Sequence, residues 1–468
     1  MMNAADSSSG EIPKSTRTAA AERATRPTDA PARPDFAAHR DRLLARLQPD
    51  EAVLLFGGTH HHRNADTEYK YRPDSDIWWL TGWEDPEVAV FLRPGTEPFI
   101  LFCQPKDRER EVWTGIRPGP EGARERFGAD TAYPIPSIED HLPRLLQGVT
   151  TLHYGWGRDA DHDAMVRSAI DKSLRTSRKS FLQTPEVFVH PSRLIHELRL
   201  VKQADELAVM RESTRLTGLG HRAAMAFARP GRTETQVEAL VDWTFRAHGG
   251  NGPGYTTIVA GGRNACILHY VTNREPLRAG ELLLLDAGCE YQNYTGDVTR
   301  TFPIDGRFTA PQRRVYEHVL AAQLASIEAA RAGRPFRDVH DASVRRLTEG
   351  MLDLGLLTGS VDEHIEKETF KRYYMHGTSH WLGIDVHDAG MYARDARSRA
   401  LVAGMILTVE PGLYIPIDDA SEEFRGIGIR IEDDILITDG DPENLTVAVP
   451  KTIEAVEAAC GASLEVDF

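Results

Sequence analysis

Residues 282–302 read LLLLDAGCEYQNYTGDVTRTF. Four consecutive leucines closed by Asp286 and a glycine two residues on specify a buried strand. Tyr291 to Phe302 then returns as the second arm of a hairpin-like turn. Asp286 and Asp297 are eleven residues apart across that turn, so adjacent antiparallel strands bring both carboxylates to one spot. Ionised acids in so apolar a setting are expensive unless something compensates them.

Three further apolar or turn-flanked runs carry a residue of the same kind. They are His380 in HGTSHWLGIDVHD, Glu410 in ILTVEPGLY and Glu432 in GIGIRIEDDILI. Taken singly, each acid also reads as the solvent-facing member of an amphipathic strand. Taken together, four carboxylates and one imidazole can hold two divalent cations, whose four positive charges the carboxylates cancel, leaving room for one bridging hydroxide. Oxygen donors with a single histidine suit manganese, magnesium or cobalt better than a thiol-rich zinc site does. Two such ions roughly 3.5–4 Å apart share and acidify a water and clamp the attacked oxygen, so the implied chemistry is hydrolysis.

The rest of the chain narrows the class. At 468 residues it exceeds one ordinary core, and two domains are expected. Acidic residues outnumber basic ones by 70 to 55, for a net charge of −15. No Lys/Arg cluster forms a nucleic-acid footprint, and no apolar run is long enough to span a membrane. Cys103, Cys266, Cys289 and Cys460 are widely separated, as expected of reduced thiols in the cytoplasm. Cys289, close to Asp286, reads as a small buried hydrophobe rather than a ligand. Residues 1–34 are rich in Ala, Ser, Thr, Pro and Arg and poor in large apolar side chains, so a disordered tail is expected there. The run His60-His61-His62 lacks acids or thiols at ligand spacing and reads as a solvated loop.

The apolar runs AVLLFGG, IWWLTGW, VAVFLR and FILFC place a first α/β domain at residues 35–195, followed by a second at 196–468. A connecting helix is expected near Arg193 to Val201. A long helix from Ala204 to about Arg229 follows. Thr233 with Gln236 forms a capping box, and Val237, Leu240, Val241 and Phe245 line one helical face until Gly249-Gly250 ends it. TTIVAG, CILHYV and ELLLLDAG then read as strands, and helices are expected near Ala310 to Arg331 and Arg337 to Leu357. The alternation through Ile427, Ile429 and Ile431 puts Arg430 and Glu432 on one face of a strand.

With RNADTEYKYRPDSDIWWLTGWEDPE, CILHY, LTVEPGLYI and RGIGIRIEDDILIT added to the runs above, the chain from about Asp35 to about Glu457 resembles bacterial Xaa-Pro aminopeptidases. The fold class this implies is α/β (α+β): a creatinase-like N-terminal domain followed by a pita-bread catalytic domain, a duplicated α-β half whose curved antiparallel sheet cradles two metal ions, usually Mn(2+). By that resemblance Asp286 binds one metal, Asp297 and Glu432 bridge the pair, and His380 and Glu410 hold the other, with Glu410 also taking the proton from the metal-bound water. His269, His376 and His387 hydrogen-bond the substrate carbonyl and the oxyanion and guide a proton to the leaving nitrogen. From the residues alone, a histidine in an apolar run such as Ile267-Leu268-His269 is more often a satisfied core group. Arg430 is expected to orient a bridging carboxylate or to form a plain ion pair. Trp78 is expected near the substrate proline or in the domain core, Trp79 and Trp83 in the core, and Tyr414 at the pocket wall.

The function implied is removal of the N-terminal residue from peptides with proline second. Partners other than peptides are not expected, neither nucleic acid nor membrane, but a homo-oligomer (dimer or tetramer) is. Prolidase shares the ligands but takes only dipeptides, and methionine aminopeptidase lacks so large a first domain. Pita-bread binding modules lose ligands and creatinases dispense with metal, whereas all five ligand types are present here.

Overall fold

The computed structural model describes residues 30–180 and 182–462. Of the tail expected over residues 1–34, residues 1–29 therefore lie outside the described residues. The stretch that is described is tied down. Gln292 Nε2 donates to the Pro31 carbonyl at 3.2 Å, and Arg33 pairs with Glu84.

The N-terminal part is built on one six-stranded sheet. In spatial order its strands are Thr131–Pro134, Phe99–Cys103, Ala89–Leu92, Glu51–Phe56, Thr151–His153 and Val187–Val189. The apolar runs AVLLF and FILFC supply its central strands because their side chains are buried on both faces. IWWLTGW, grouped with these runs in sequence, is instead a helix, Ser75–Thr81. Asp74 caps it by accepting from the N–H groups of Asp76 and Ile77, and Gly82 at φ 68° ends it.

Two helix pairs frame the C-terminal part. Ala204–Phe227 packs on Glu234–Ala247, and Ala310–Ala329 packs on Arg337–Asp353. Each pair precedes a set of antiparallel strands: Ile258–Gly261, Leu282–Asp286 and Thr299–Pro303 after the first, Ile406–Val409, Gly412–Tyr414, Gly428–Arg430 and Asp433–Leu436 after the second. The order helix, helix, strands thus occurs twice. The expected box at Thr233 is present, with both reciprocal bonds between Thr233 and Gln236 made.

Within the first strand set, Asp286 pairs with Ile258 on one side and Thr299 on the other. Leu283 and Leu285 pack into one core cluster while Leu282 and Leu284 pack into two others. Burial on both faces is why the run is continuous rather than alternating. The two sets meet where Glu432 N–H donates to the Thr299 carbonyl at 3.0 Å. Thr301 Oγ1 also donates to the Arg430 carbonyl at 3.1 Å. Gly288 passes so close to the return arm that a Cβ there would lie 1.6 Å from the Gly296 carbonyl oxygen. Gly288→Ala is therefore expected to cost about 3 kcal/mol or more, a backbone clash no rotamer relieves. Denaturant unfolding checks this, and a near-neutral effect would show that the two arms are not held so closely.

CILHYV does not join the sheet. Gly262–Cys266 is a 3-10 helix, and His269 lies in the turn after it. The alternation itself is real: Cys266, Leu268 and Tyr270 pack inward near Tyr414, while Ile267 and Val271 are exposed. What the segment lacks is a partner strand, so His269 stands on a rim rather than inside a ladder.

Candidate metal centre

The strand ends converge on a cleft of about 510 Å3. Asp286, Asp297, His380, Glu410 and Glu432 all line it, as do His269, His376, His387 and Arg430. Asp286 comes from the end of the central strand and Asp297 from just before the return strand. Glu410 follows Ile406–Val409, and Glu432 sits between Gly428–Arg430 and Asp433–Leu436. Chain segments 146 residues apart, Asp286 to Glu432, thus supply one site.

The acids crowd one another. Asp297, His380 and Glu432 each present a donor atom, and these atoms lie within 4.8 Å of one another. His380 Nε2 is 3.4 Å from Asp297 Oδ2 and 3.5 Å from Glu410 Oε1. Its Nδ1 lies 3.0 Å from the Trp381 carbonyl oxygen. A proton donated there turns Nε2 toward the carboxylates, the orientation a metal-ligating histidine needs.

Burial, and then the neighbouring carboxylates, push the carboxyls of Glu410 and Glu432 up. Glu410 reaches about 7, and Glu432 stands well above the usual range. Asp297 is raised by burial too, against its contact with His380. For His380 burial works downward, but Asp297 and Glu410 overcome it and hold the imidazole at about 9. These are four acids with one permanent cation among them, Arg430. That donor set, oxygen-rich with one imidazole, fits divalent cations and is what such ions would relieve.

Arg430 is fully engaged. It donates from Nη2 to Asp286 Oδ2 at 2.6 Å, from Nε to Thr299 Oγ1 at 3.0 Å and from Nη1 to the Tyr414 hydroxyl at 3.0 Å. His376 Nε2 is 2.9 Å from the same Tyr414 hydroxyl, and burial followed by the Arg430 charge lowers its imidazole to about 4. His387 is likewise lowered by burial and then by His380. Tyr414 is buried behind the wall, not on it.

Trp78 is a correction. It is 0% exposed, meets Phe36 and Tyr294 edge to face, and does not line the cleft. An indole so placed contributes apolar area to the core and cannot touch a substrate. Trp79 and Trp83 are core residues as expected.

Two groups escape a reading of the sequence. The Tyr255 hydroxyl sits between two acids, 2.6 Å from Asp286 Oδ1 and 2.5 Å from Asp297 Oδ1. Asp434 Oδ2 accepts from the Asp297 N–H at 3.0 Å. Neither carries a motif; the second acid after Glu432 is the only local sign of Asp434.

Comparisons with known proteins agree with this geometry. Residues 208–439 match the model of metallopeptidase family M24, and residues 36–153 match the aminopeptidase P N-terminal domain. The chain is 42% identical over 430 residues to the Xaa-Pro aminopeptidase of Escherichia coli K12, covering 91% of this chain and 97% of that one. It is 31% identical over 442 residues to human Xaa-Pro aminopeptidase 3, covering 91% and 85%. Among solved structures, a Pseudomonas aeruginosa aminopeptidase superposes with a TM-score of 0.89 at 42% identity, covering 92% of this chain and 98% of that one. Zinc-substituted E. coli aminopeptidase P in complex with product gives 0.88 at 42% identity, covering 92% and 99%. A creatinase-like first domain precedes the catalytic one, and the chain belongs to the Xaa-Pro aminopeptidase family of M24 metallopeptidases.

Proposed function

We propose that the chain is a dinuclear-metal Xaa-Pro aminopeptidase, with domains at residues 35–195 and 196–468, that releases the N-terminal residue from peptides with proline second. The observation that carries this is the convergence on one cleft of His380 and four carboxylates, Asp297 and Glu432 buried and Asp286 and Glu410 half-buried, with Arg430 the one guanidinium among the described residues that line it. Asp286 would hold one ion, Asp297 and Glu432 both, and His380 and Glu410 the other. Manganese suits this donor set. Bound there, two divalent cations supply an activated water and polarise the scissile carbonyl.

The protein's own groups do the rest. Glu410, which lines the cleft beside His380, would accept the proton that water gives up. When the amide C–N bond breaks, the hydroxyl joins the carbonyl carbon and the proton goes to the proline nitrogen. Burial keeps His376 and His387 neutral, so each offers an N–H to substrate or transition-state oxygen without adding charge. His269 lines the same cleft. Arg430 orients Asp286, and Tyr414 orients His376. Leu268, Val271 and Val386 give the cleft an apolar side for a proline ring, whose nitrogen has no N–H for a β-strand-type grip.

The cleft also favours longer peptides over dipeptides. A dipeptide's terminal carboxylate lies beside the scissile bond and needs a cation, yet among the described residues the one guanidinium lining the cleft, Arg430, is spent on Asp286, Thr299 and Tyr414. With manganese supplied, Gly-Pro-Pro is expected to be hydrolysed far faster than Gly-Pro. Turnover of the dipeptide alone would make the protein a prolidase. Absence of bound divalent ion after manganese loading would point to a metal-free creatinase-type enzyme or a binding module.

A cytoplasmic location is supported by four free cysteines. A homo-oligomer, dimer or tetramer, is supported by the exposure of Val112, Trp113 and Ile116 within a few residues of one another.

A further inference from the structure

His387 reaches the cleft unaided by any hydrogen bond to its ring. Among the described residues no group hydrogen-bonds the imidazole, and its ring contact is the edge-on approach to His380, 4.2 Å between centroids. Where the imidazole stands is therefore decided by the backbone of residues 384–388.

That backbone is gripped from behind by a buried set of charges. Arg199, 3% exposed, lies on the helix Ser192–Arg199 between the two sheet systems. Its Nη2 donates to Asp388 Oδ1 at 2.6 Å and to Asp385 Oδ2 at 2.8 Å, so one guanidinium nitrogen holds the loop on both sides of His387. Its Nη1 donates to Asp76 Oδ1 at 2.7 Å, on the helix that follows the first strands of the N-terminal part. Lys202 Nζ donates to the other Asp388 oxygen at 2.9 Å. From the same N-terminal segment Ser75 Oγ donates to Asp385 Oδ1 at 2.6 Å, and Arg72 Nη2 donates to the Ile384 carbonyl at 2.6 Å.

Asp76, Asp385 and Asp388 meet Arg199, Lys202 and Arg72, and Arg72 Nε also donates to a fourth carboxylate, Glu290 Oε2, at 2.9 Å. The buried part of this set, Arg199, Lys202, Asp76 and Asp388, adds little net stability because desolvation offsets the attraction, and its more exposed part, Arg72 and Asp385, adds little because water screens it. Its directional bonds do fix geometry. A planar fork reaching three carboxylates is a task for Arg that Lys, a single point of charge, cannot perform.

We propose that Arg199 is a positioning residue for His387, setting through Asp385 and Asp388 where that imidazole stands over the cleft, with Asp76 anchoring it to the N-terminal domain. The proposal rests on the reading of His387 as a substrate-facing group. It gives the N-terminal domain a part in the reaction: it braces the catalytic loop.

Arg199→Lys keeps the charge and loses the fork. With manganese and Gly-Pro-Pro, kcat/KM is expected to fall about 30- to 100-fold, the size of loss a misplacement near 1 Å produces. Metal content per chain stays at the wild-type value, and amide hydrogen exchange speeds up at residues 384–388 alone. If Arg199→Lys does not fold, Arg72→Gln with Ser75→Ala loosens the same loop from its more exposed side, with a loss of about tenfold expected. In a His387→Ala background each change should cost less than about threefold, since the group it positions is gone. Equal losses in both backgrounds overturn the positioning role, as do lost metal or exchange that rises across the whole chain. A fully active His387→Ala enzyme instead overturns the assignment of His387 itself, and the inference built on it.

Discussion

Glu432→Gln is expected to reduce Xaa-Pro hydrolysis by at least about a thousandfold, since even groups that only support metal ligands cost 10- to 100-fold when lost. The folded state should survive. Thr299 Oγ1 donates to Glu432 Oε2 at 2.6 Å, and a Gln carbonyl oxygen can accept that bond unchanged. The metal-free variant should be as stable as the parent or more so. Burial and then the charges of Asp297 and Glu410 hold the Glu432 carboxyl well above its ordinary range, so its ionised form is a burden until cations arrive. Manganese then separates the two proteins. Wild type gains about 2.7 kcal/mol at a hundredfold excess over Kd, and a variant without the bridge gains little. Asp297→Asn should behave alike in activity and metal content. Thermal melts with and without manganese, beside a peptide assay, test both. Wild-type turnover in either variant would remove these residues from the centre.

What the sequence discloses and what it hides divide along a physical line. Burial periodicity is local, so the leucine run, the box at Thr233 and the acids in apolar runs are legible, and the cleft gathers all five predicted ligands. Long-range partners are not local. CILHYV has a strand's alternation but no neighbour to pair with, and becomes a turn. IWWLTGW is apolar enough for a strand, yet Asp74 and Gly82 make it a helix. A large aromatic reports that it is buried, not in which wall, and so Trp78 belongs to the core. Tyr255 reaches two acids 31 and 42 residues on, and Arg199 reaches two others 186 and 189 residues on. No spacing encodes such contacts.

Glu410→Gln should reveal the state of the carboxyl through pH. In the metal-free protein burial raises Glu410 from 4.5 to about 7, with Asp297 and Asp286 adding to the rise and His380 and Arg430 opposing it. A carboxyl whose folded value is raised gives stability that is complete below its unfolded value. That stability is lost as pH climbs through the folded value. The window is therefore pH 4.5 to 7, and the loss is on the order of 3 kcal/mol across it. The Gln variant does not titrate. Metal-free melts of the two proteins should nearly coincide at pH 5 and separate by pH 8, with the variant higher. His376, at about 4, lies below the window, whereas His380 and Glu432, whose own shifts the Glu410 charge feeds, titrate with it, so the gap reads the coupled cluster and not Glu410 alone. Manganese reverses the order at pH 8, because only the wild type has the carboxylate to give. Loading must also expel protons: from Glu410 below about 7, and from His380, which holds its second proton to about 9. Calorimetry in buffers of different ionisation enthalpy should then count protons released on manganese binding at pH 6, with fewer from the variant. A gap between the melts that ignores pH, or metal uptake without proton release, would mean that Glu410 is already ionised and stands apart from the other acids.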